Sequence, residues 1–151
     1  MDSDKIIKHL DGKIVVEKLE KEADSTGRFR GGDDRGEVAM IISNSVINHI
    51  ELAEFSRSGI KRGFHFHKEY LERLYLISGT ISMSACLAST PSIKKEFTIH
   101  AGEIVTIYPM VAHAYLSVEK SIAISMGSGP SPFLDRELYS DLSFAGNISE
   151  E

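Results

Sequence analysis

Short runs of β-branched and aliphatic residues alternate with turn-forming residues along most of the chain. Their spacing of about 8–12 residues is typical of antiparallel β-sandwiches and barrels. Helical periodicity is confined to the C-terminal end. The pattern therefore predicts an all-β fold, with strands over residues 13–17, 37–42, 46–55, 73–77, 81–87, 93–100, 103–108, 112–118 and 121–126.

Three stretches refine this prediction. Residues 73–77 are apolar on both faces, as expected for a strand buried between two layers. Residues 112–118 and 121–126 flank the polar residues 119–120, so we predict a hairpin there. The glycine-rich stretch over residues 20–36 is predicted to be a loop.

The C-terminal segment has a different pattern. The pair Ser131-Pro132 has the order of an N-cap followed by a proline at the first helical position. Leucines then recur every four residues, which is helical spacing. We therefore predict one short helix over residues 132–142, packed on the barrel.

The chain has 151 residues, enough for one domain with a substantial core. The sequence shows no internal repeat and no second domain, so we predict a single domain over residues 1–151. Its barrel core is expected at about residues 36–128. An N-terminal arm (1–35) and a helical tail (131–145) are expected to flank this core.

Charge and composition narrow the class of function. The chain carries 17 basic and 22 acidic residues, a net charge of −5, which argues against a nucleic-acid partner. No apolar run approaches the ~20 residues needed to span a bilayer, and residues 1–5 are unlike a signal peptide. Cys86 is the single cysteine, so no intrachain disulfide forms, and we interpret it as a buried small hydrophobic residue. We expect a cytoplasmic protein with no membrane partner.

The strongest chemical signal is a pair of histidines two residues apart. Side chains two apart in a strand point to the same face, so His65 and His67 are predicted to project together. Phe64 and Phe66 then point the other way, into apolar packing. With Glu72 close behind, this pattern indicates either a metal site or an acid–base site.

The same run resembles the first motif of the cupin superfamily. Gly59, His65, His67, Glu72 and Gly79 meet every spacing of that motif. A looser second motif follows at Gly102, Pro109 and His113. It has six residues before the proline where the family pattern has five, and its proline-to-histidine spacing is one residue short. The resemblance implies a jelly-roll barrel, also called a double-stranded β-helix, in agreement with the strand pattern.

In metal-binding cupins the four motif side chains ligate one divalent ion. The resemblance therefore implies a site formed by His65, His67, Glu72 and His113, for which Zn, Mn, Fe, Ni or Co are all suitable ions. The alternative is a barrel whose histidines are hydrogen-bonded and bind no metal. The other histidines, His9, His49 and His100, are expected on the surface or in the sheets.

Strand parity adds one candidate to the site. His113 shares parity with Val111 and Tyr115, which places Tyr115 near the same cavity. Glu72 shares parity with the leucines of its strand and is expected to point into the barrel. We therefore take Tyr115 as a candidate catalytic residue.

A narrower resemblance lies in the segment from Arg62 to Lys68, Arg-Gly-Phe-His-Phe-His-Lys. It is similar to a segment of the sugar-nucleotide cupins, namely dTDP-4-oxo-6-deoxyglucose 3,4-ketoisomerases and dTDP-4-dehydrorhamnose 3,5-epimerases. In these families a base removes a proton next to a keto group. The resemblance implies His65 as the base and His67 as a second acid–base group or donor. Arg62 and Lys68 are the implied diphosphate ligands.

Two departures from these families matter. The epimerases use a tyrosine acid on the strand that corresponds to residues 121–126, where this chain has none. The ketoisomerases usually carry glutamine where Glu72 stands. A metal-bearing sugar cupin that polarises the keto oxygen as a Lewis acid reconciles both patterns.

Three functions therefore remain open from the sequence. The first is an isomerase or epimerase that acts on a 4-keto-6-deoxy sugar nucleotide. The second is a metal-dependent cupin of other chemistry, such as a dioxygenase or a phosphosugar isomerase. The third is a non-catalytic small-molecule-binding barrel. We also expect a homodimer, because cupins of this kind commonly pack or exchange edge strands, and residues 13–17 are a candidate exchanged strand.

Overall fold

The computed structural model describes residues 5–145, and every regular element in that range is a β-strand. This part of the chain therefore contains no helix long and apolar enough to cross a membrane. The all-β prediction is confirmed. In chain order the strands are β1 (Ile6–His9), β2 (Ile14–Lys18), β3 (Phe29–Asp33), β4 (Gly36–Met40), β5 (His49–Phe55), β6 (Lys61–Phe66), β7 (Leu71–Ser78), β8 (Thr80–Leu87), β9 (Thr90–His100), β10 (Glu103–Ile107), β11 (Val111–Ser117), β12 (Ser121–Ser128) and β13 (Glu137–Leu138).

Most strands belong to two antiparallel sheets that share one core. The first sheet has the strand order β1-β2-β10-β7-β12-β5, and the second has the order β13-β6-β11-β8-β9. From β5 to β12 the chain crosses from one sheet to the other at every connection except β8–β9. This alternation is consistent with a cupin fold. The strands β3 and β4 form a separate hairpin.

The hairpin predicted for residues 112–118 and 121–126 is wrong. The two strands exist, as β11 and β12, but they lie in different sheets and do not pair. Their connection is a corner that packs against the β7–β8 corner. There the Thr80 N–H donates to the Ser121 hydroxyl (3.1 Å), and the Val118 N–H donates to the Thr80 carbonyl (2.9 Å). A polar turn between two strands looks the same in the sequence whether it closes a hairpin or joins two sheets.

The central strand β7 is buried on both faces, as the sequence predicts. Leu74 and Leu76 point into the core between the sheets, whereas Tyr75 and Ile77 point to the outer face. An isoleucine-rich segment between β4 and β5 covers that outer face. Glu72 has the parity of the two leucines and is therefore carried into the interior.

The N-terminal strands extend the first sheet. The predicted strand at residues 13–17 is present as β2, but it pairs with β1 on one side and β10 on the other. It is thus an inner strand of its own chain, and β1 forms the edge. The predicted homodimer stays a prediction.

The loop predicted for residues 20–36 is wrong in part, because residues 29–33 form β3. Arg30 holds this hairpin against the first sheet. Its guanidinium donates to the Ile77 carbonyl (3.1 Å) and pairs with Glu37 (2.6 Å). Glycines have no side chains whose polarity could alternate, so a glycine-rich strand is hard to recognise from the sequence. Here pairing with β4 and the contacts of Arg30 hold β3 in place.

The predicted C-terminal helix is also wrong. Residues 131–142, which we call the C-terminal strap, make a single turn and then extend. The turn is closed by the Asp135 N–H, which donates to the Ser131 carbonyl (2.8 Å). The backbone then forms β13 on the edge of β6, and the Tyr139 N–H donates to the Phe64 carbonyl (2.7 Å). These bonds to a strand edge replace those of a helix.

The leucines of the C-terminal strap confirm this extended path. A helix packed on the barrel would bury all three on one face. Instead Leu134 is 88% exposed and Leu138 is 83% exposed, while Leu142 is only 7% exposed. Leu142 packs with Cys86 on the outer face of the second sheet, and Cys86 is the buried small residue that the sequence predicts.

We predict that the three leucines differ sharply in their effect on stability. Leu142→Ala removes a buried side chain and should lower the free energy of unfolding by about 2–4 kcal/mol. Leu134→Ala and Leu138→Ala should change it by no more than about 0.5 kcal/mol, because both side chains are exposed. Equilibrium denaturation with urea measures all three. Similar losses for all three variants would support the helix instead and contradict the extended strap.

Candidate active and metal site

The site begins at an irregularity in β6. The β6–β11 ladder shifts register so that His113 lies opposite His65 and Ala114 lies opposite Gly63. Gly63 and Phe64 both have positive φ angles, of 89° and 59°. A Cβ atom on residue 63 would lie 2.9 Å from the His113 carbonyl oxygen, so this close approach requires glycine. The bulge thus brings the strand that carries His65 directly against the strand that carries His113.

The structure brings together the four side chains of the predicted metal set. Each offers a ligand atom, and these atoms all lie within 4.8 Å of one another. The Glu72 Oε2 atom is 3.1 Å from His113 Nε2 and 3.6 Å from His67 Nε2. The His65 ring centroid is 4.9 Å from those of both His67 and His113. Three imidazoles and one carboxylate therefore converge inside the fold.

Neighbouring groups orient three of these four side chains. The His67 Nδ1–H donates to the Asp135 carbonyl (2.7 Å), and the His113 Nδ1–H donates to the Val111 carbonyl (3.0 Å). A carbonyl oxygen only accepts, so each Nδ1 carries a proton, and Nε2 is the nitrogen of each ring that remains to bind a metal. The Ser125 hydroxyl donates to Glu72 Oε1 (2.9 Å), which leaves Oε2 facing the histidines. Such supporting contacts are typical of metal ligands.

Buried atoms without a partner show that this site is incomplete as a purely structural cluster. Among the described residues, Glu72 Oε2, His113 Nε2 and the Tyr115 hydroxyl are buried and lack a hydrogen bond of acceptable geometry. Burial raises the pKa of a carboxyl, but the adjacent His113 and His67 rings hold the pKa of Glu72 well below its usual range. The carboxylate is therefore charged. A buried carboxylate beside two imidazole Nε2 atoms is a donor set that fits a divalent cation, which would take the place of any proton on those nitrogens.

Two further titrating groups complete the chemistry. Burial, with the nearby charge of His113, lowers the pKa of His65 to about 4, so this ring is neutral near pH 7. Burial, with the nearby charge of Glu72, raises the pKa of Tyr115 well above its usual value, so its hydroxyl keeps its proton. A neutral imidazole can accept a proton or bind a metal, and a neutral phenol can donate a hydrogen bond.

The four-residue group opens on a cavity of about 310 Å³. His65, His67, Glu72 and Tyr115 all line it, and His113 lies behind them. The cavity is bounded by β5, β6, β7, β11, β12 and the C-terminal strap. Its size and its mixed polar and apolar wall suit a small organic ligand.

The two predicted diphosphate ligands have different positions. Arg62 lines the cavity; its guanidinium donates to the Glu54 carbonyl (3.1 and 2.7 Å) and lies 5.5 Å from the centroid of the Phe55 ring. Lys68 is not among the residues that line the cavity. Its ammonium forms an ion pair with Glu137 (2.7 Å) on the surface.

Several residues of the site were not identified from the sequence. Glu51 lines the cavity, and burial with the nearby charge of Glu72 raises its pKa. Its strand alternates in polarity, so parity was a usable signal. Ser125, Asp135 and Arg136 gave no such signal, because their roles depend on which distant segment they touch.

The remaining histidines lie outside the site, as the sequence predicts. His9, His49 and His100 belong to β1, β5 and β9. His9 stacks on Phe97 with 4.1 Å between ring centroids, and His49 lies against Tyr70 at 6.1 Å.

Comparisons with known proteins rest on structure alone. No protein-family model matches this chain, and no curated protein matches it significantly in sequence. The chain is similar to the sugar 3,4-ketoisomerase QdtA from Thermoanaerobacterium thermosaccharolyticum in complex with TDP. The TM-score is 0.66 at 15% identity, over 83% of this chain and 87% of that one.

Two epimerases are also similar to this chain in structure. The dTDP-4-dehydrorhamnose 3,5-epimerase from Bacillus anthracis has a TM-score of 0.71 at 14% identity, covering 97% of this chain and 91% of that one. The corresponding epimerase from Sulfolobus tokodaii has a TM-score of 0.71 at 18% identity, covering 91% and 83%. The predicted resemblance is thus confirmed as a structural match: the chain has the fold of the sugar-nucleotide cupins, at low sequence identity.

Proposed function

We propose that this protein is an isomerase or epimerase that transfers a proton next to the keto group of a 4-keto-6-deoxy sugar nucleotide. The observation that carries the proposal is the joint placement of His65 and Tyr115. Both line one cavity, and the buried Tyr115 hydroxyl has no hydrogen-bond partner among the described residues. A possible base and an unused donor thus face the same ligand-sized space.

The fold supports this proposal without deciding the chemistry. The similar solved structures are sugar ketoisomerases and epimerases, and both a ketoisomerase and an epimerase among them are bound to TDP. Arg62 adds a cation at the cavity, as a nucleoside diphosphate would require. The ligand class is therefore a sugar nucleotide, and its reacting part is the sugar.

The chemistry requires a base and a stabilised oxyanion. His65 accepts the proton from the carbon next to the keto group, and the C–H electron pair forms the enolate. The Tyr115 hydroxyl donates a hydrogen bond to the enolate oxygen, where negative charge develops. Return of a proton to the opposite face of the same carbon gives the epimer. The isomer forms when the enolate oxygen takes up a proton, the hydroxyl on the first carbon gives up its proton to become the new keto group, and the former keto carbon is protonated. General acid–base help of this kind is worth roughly 10²–10⁴-fold.

A specific observation also favours a second function, a metal-dependent cupin of other chemistry. Glu72 Oε2 is buried and has no hydrogen-bond partner, in a group that fits a cation. His65, His67, Glu72 and His113 would hold the ion, which would supply Lewis acidity to a bound oxygen atom. His65 cannot use one nitrogen lone pair both as a ligand and as a base, so metal content decides whether His65 can be the base.

We predict that the protein exchanges solvent deuterium into a 4-keto-6-deoxy sugar nucleotide. Incubation with dTDP-4-keto-6-deoxyglucose in deuterated water, followed by mass spectrometry and NMR, measures the exchange. His65→Asn and Tyr115→Phe should each slow it by roughly 10²-fold or more, since one removes the base and the other the oxyanion donor.

His100→Asn is the matched control, because it removes an imidazole at the exposed end of β9 that does not line the cavity. It should leave exchange unchanged. Absence of deuterium in every dTDP- and UDP-4-keto sugar of a test panel would contradict the proposed reaction.

The second function predicts that the four-residue group binds one divalent ion per chain. Glu72→Gln keeps the side-chain shape and removes the only acidic ligand, so the ion should be lost on dialysis. Elemental analysis by mass spectrometry reports both the identity of the ion and its stoichiometry. Unchanged metal content in Glu72→Gln would show that any ion lies elsewhere.

Ser125→Ala is a separate test of the support around Glu72. It removes the hydrogen bond to Oε1 but no metal ligand. We expect metal affinity to fall by roughly 10–100-fold while the fold is kept, as seen when contacts behind metal ligands are removed. Affinity equal to that of the wild type in a competition titration would show that Glu72 is held without Ser125.

A further inference from the structure

The C-terminal strap is anchored at one residue beside the site. The Asp135 carboxylate accepts the backbone N–H groups of Glu69 and Tyr70, both at 2.8 Å. The Asp135 carbonyl accepts the Nδ1–H of His67 at 2.7 Å. One residue of the strap therefore fixes the turn between β6 and β7 and also the orientation of His67.

The next residue, Arg136, projects to the cavity. It lines the same 310 Å³ space as His65, together with Pro132 and Phe133 of the strap. Its guanidinium carbon is 5.4 Å from the centroid of the Phe133 ring, a cation–π contact that restricts the side chain. The anchor at Asp135 thus sets where this guanidinium lies.

Arg136 and Arg62 are the two permanent cations among the described residues that line the cavity. They come from different parts of the fold, the strap and β6. Arg62 already uses its Nε and one terminal nitrogen on the Glu54 carbonyl, so only the N–H groups at the far end of its guanidinium remain for an anion. A diphosphate has two charged groups, which favours a second guanidinium.

We propose that Arg136, held in place by Asp135, binds the diphosphate of the substrate together with Arg62. This inference rests on the proposed function, because a sugar nucleotide carries its diphosphate beside the sugar. Arg136 is then a binding residue. Asp135 is a positioning residue that links the anion site to His67.

Titration calorimetry with inorganic pyrophosphate and with dTDP tests the role of Arg136. Arg136→Ala should weaken binding of both probes roughly tenfold, the loss of one charged contact, and Arg136→Lys should lose less. Arg35→Ala is the matched control, since it removes the same charge from an exposed residue of the β3–β4 hairpin. Metal content is measured in every variant, because a bound ion also attracts pyrophosphate.

Substitutions of Asp135 test the anchor, because loss of its charge and loss of its anchoring contacts should change anion affinity in opposite directions. Asp135→Ala removes a negative charge near the cavity, so charge alone would strengthen anion binding. If the anchor positions Arg136, binding weakens instead, and Asp135→Asn, which keeps one acceptor oxygen, is intermediate. Stronger binding in both Asp135 variants would overturn the positioning role.

The outcomes separate this inference from the proposed function. If dTDP binds equally well to the wild type and Arg136→Ala, the inference is wrong while the function stands. If pyrophosphate binding depends on Arg136 but no keto sugar exchanges deuterium, the anion site is supported and the proposed reaction is contradicted. If the wild type binds neither probe, both are overturned.

Discussion

The site depends on one buried charge, the Glu72 carboxylate. Moving such a group out of water costs several kcal/mol unless partners compensate it. Here the compensation comes from His113 and His67 on one side and from the Ser125 hydroxyl on the other. One oxygen still lacks a hydrogen bond. Replacing buried ionic groups with apolar residues is often neutral or stabilising, so the presence of this carboxylate favours a role in binding or in a reaction.

The alternation of strands between two sheets is what assembles these partners. Glu72 lies in β7 and Ser125 in β12 of the first sheet, whereas His113 lies in β11 of the second. None of them is close to another in sequence, so the carboxylate is compensated only when both sheets have formed and packed. The C-terminal strap adds the last orienting contact, to His67. Formation of the site is therefore coupled to completion of the fold.

Much of this could be predicted from local sequence pattern, and the failures share a physical cause. Strand positions and the inward direction of Glu72 follow from a period of two, which depends only on backbone geometry. The hairpin at residues 112–126 and the C-terminal helix failed because a competing partner lay far away in sequence. At the predicted hairpin the Thr80 carbonyl accepts a hydrogen bond, and at the predicted helix the edge of β6 pairs with the backbone. Arg136 was missed for the same reason, since no local pattern shows which segment the strap will meet.

The two candidate functions differ in whether the free ring nitrogen of His65 binds a metal ion or accepts a substrate proton. The fold is shared with ketoisomerases and epimerases, but identities of 14–18% to the three structures compared carry the fold and not the chemistry. This chain has a carboxylate placed to complete a cation site around His65. If the lone pair of His65 binds an ion, the ring cannot accept a substrate proton, and Glu51, a half-buried carboxyl on the cavity wall, becomes the available base. Burial and the charge of Glu72 raise the pKa of Glu51, which strengthens it as a base. Proton transfer next to a keto group therefore remains chemically possible in either state of the site, with a different residue carrying the proton.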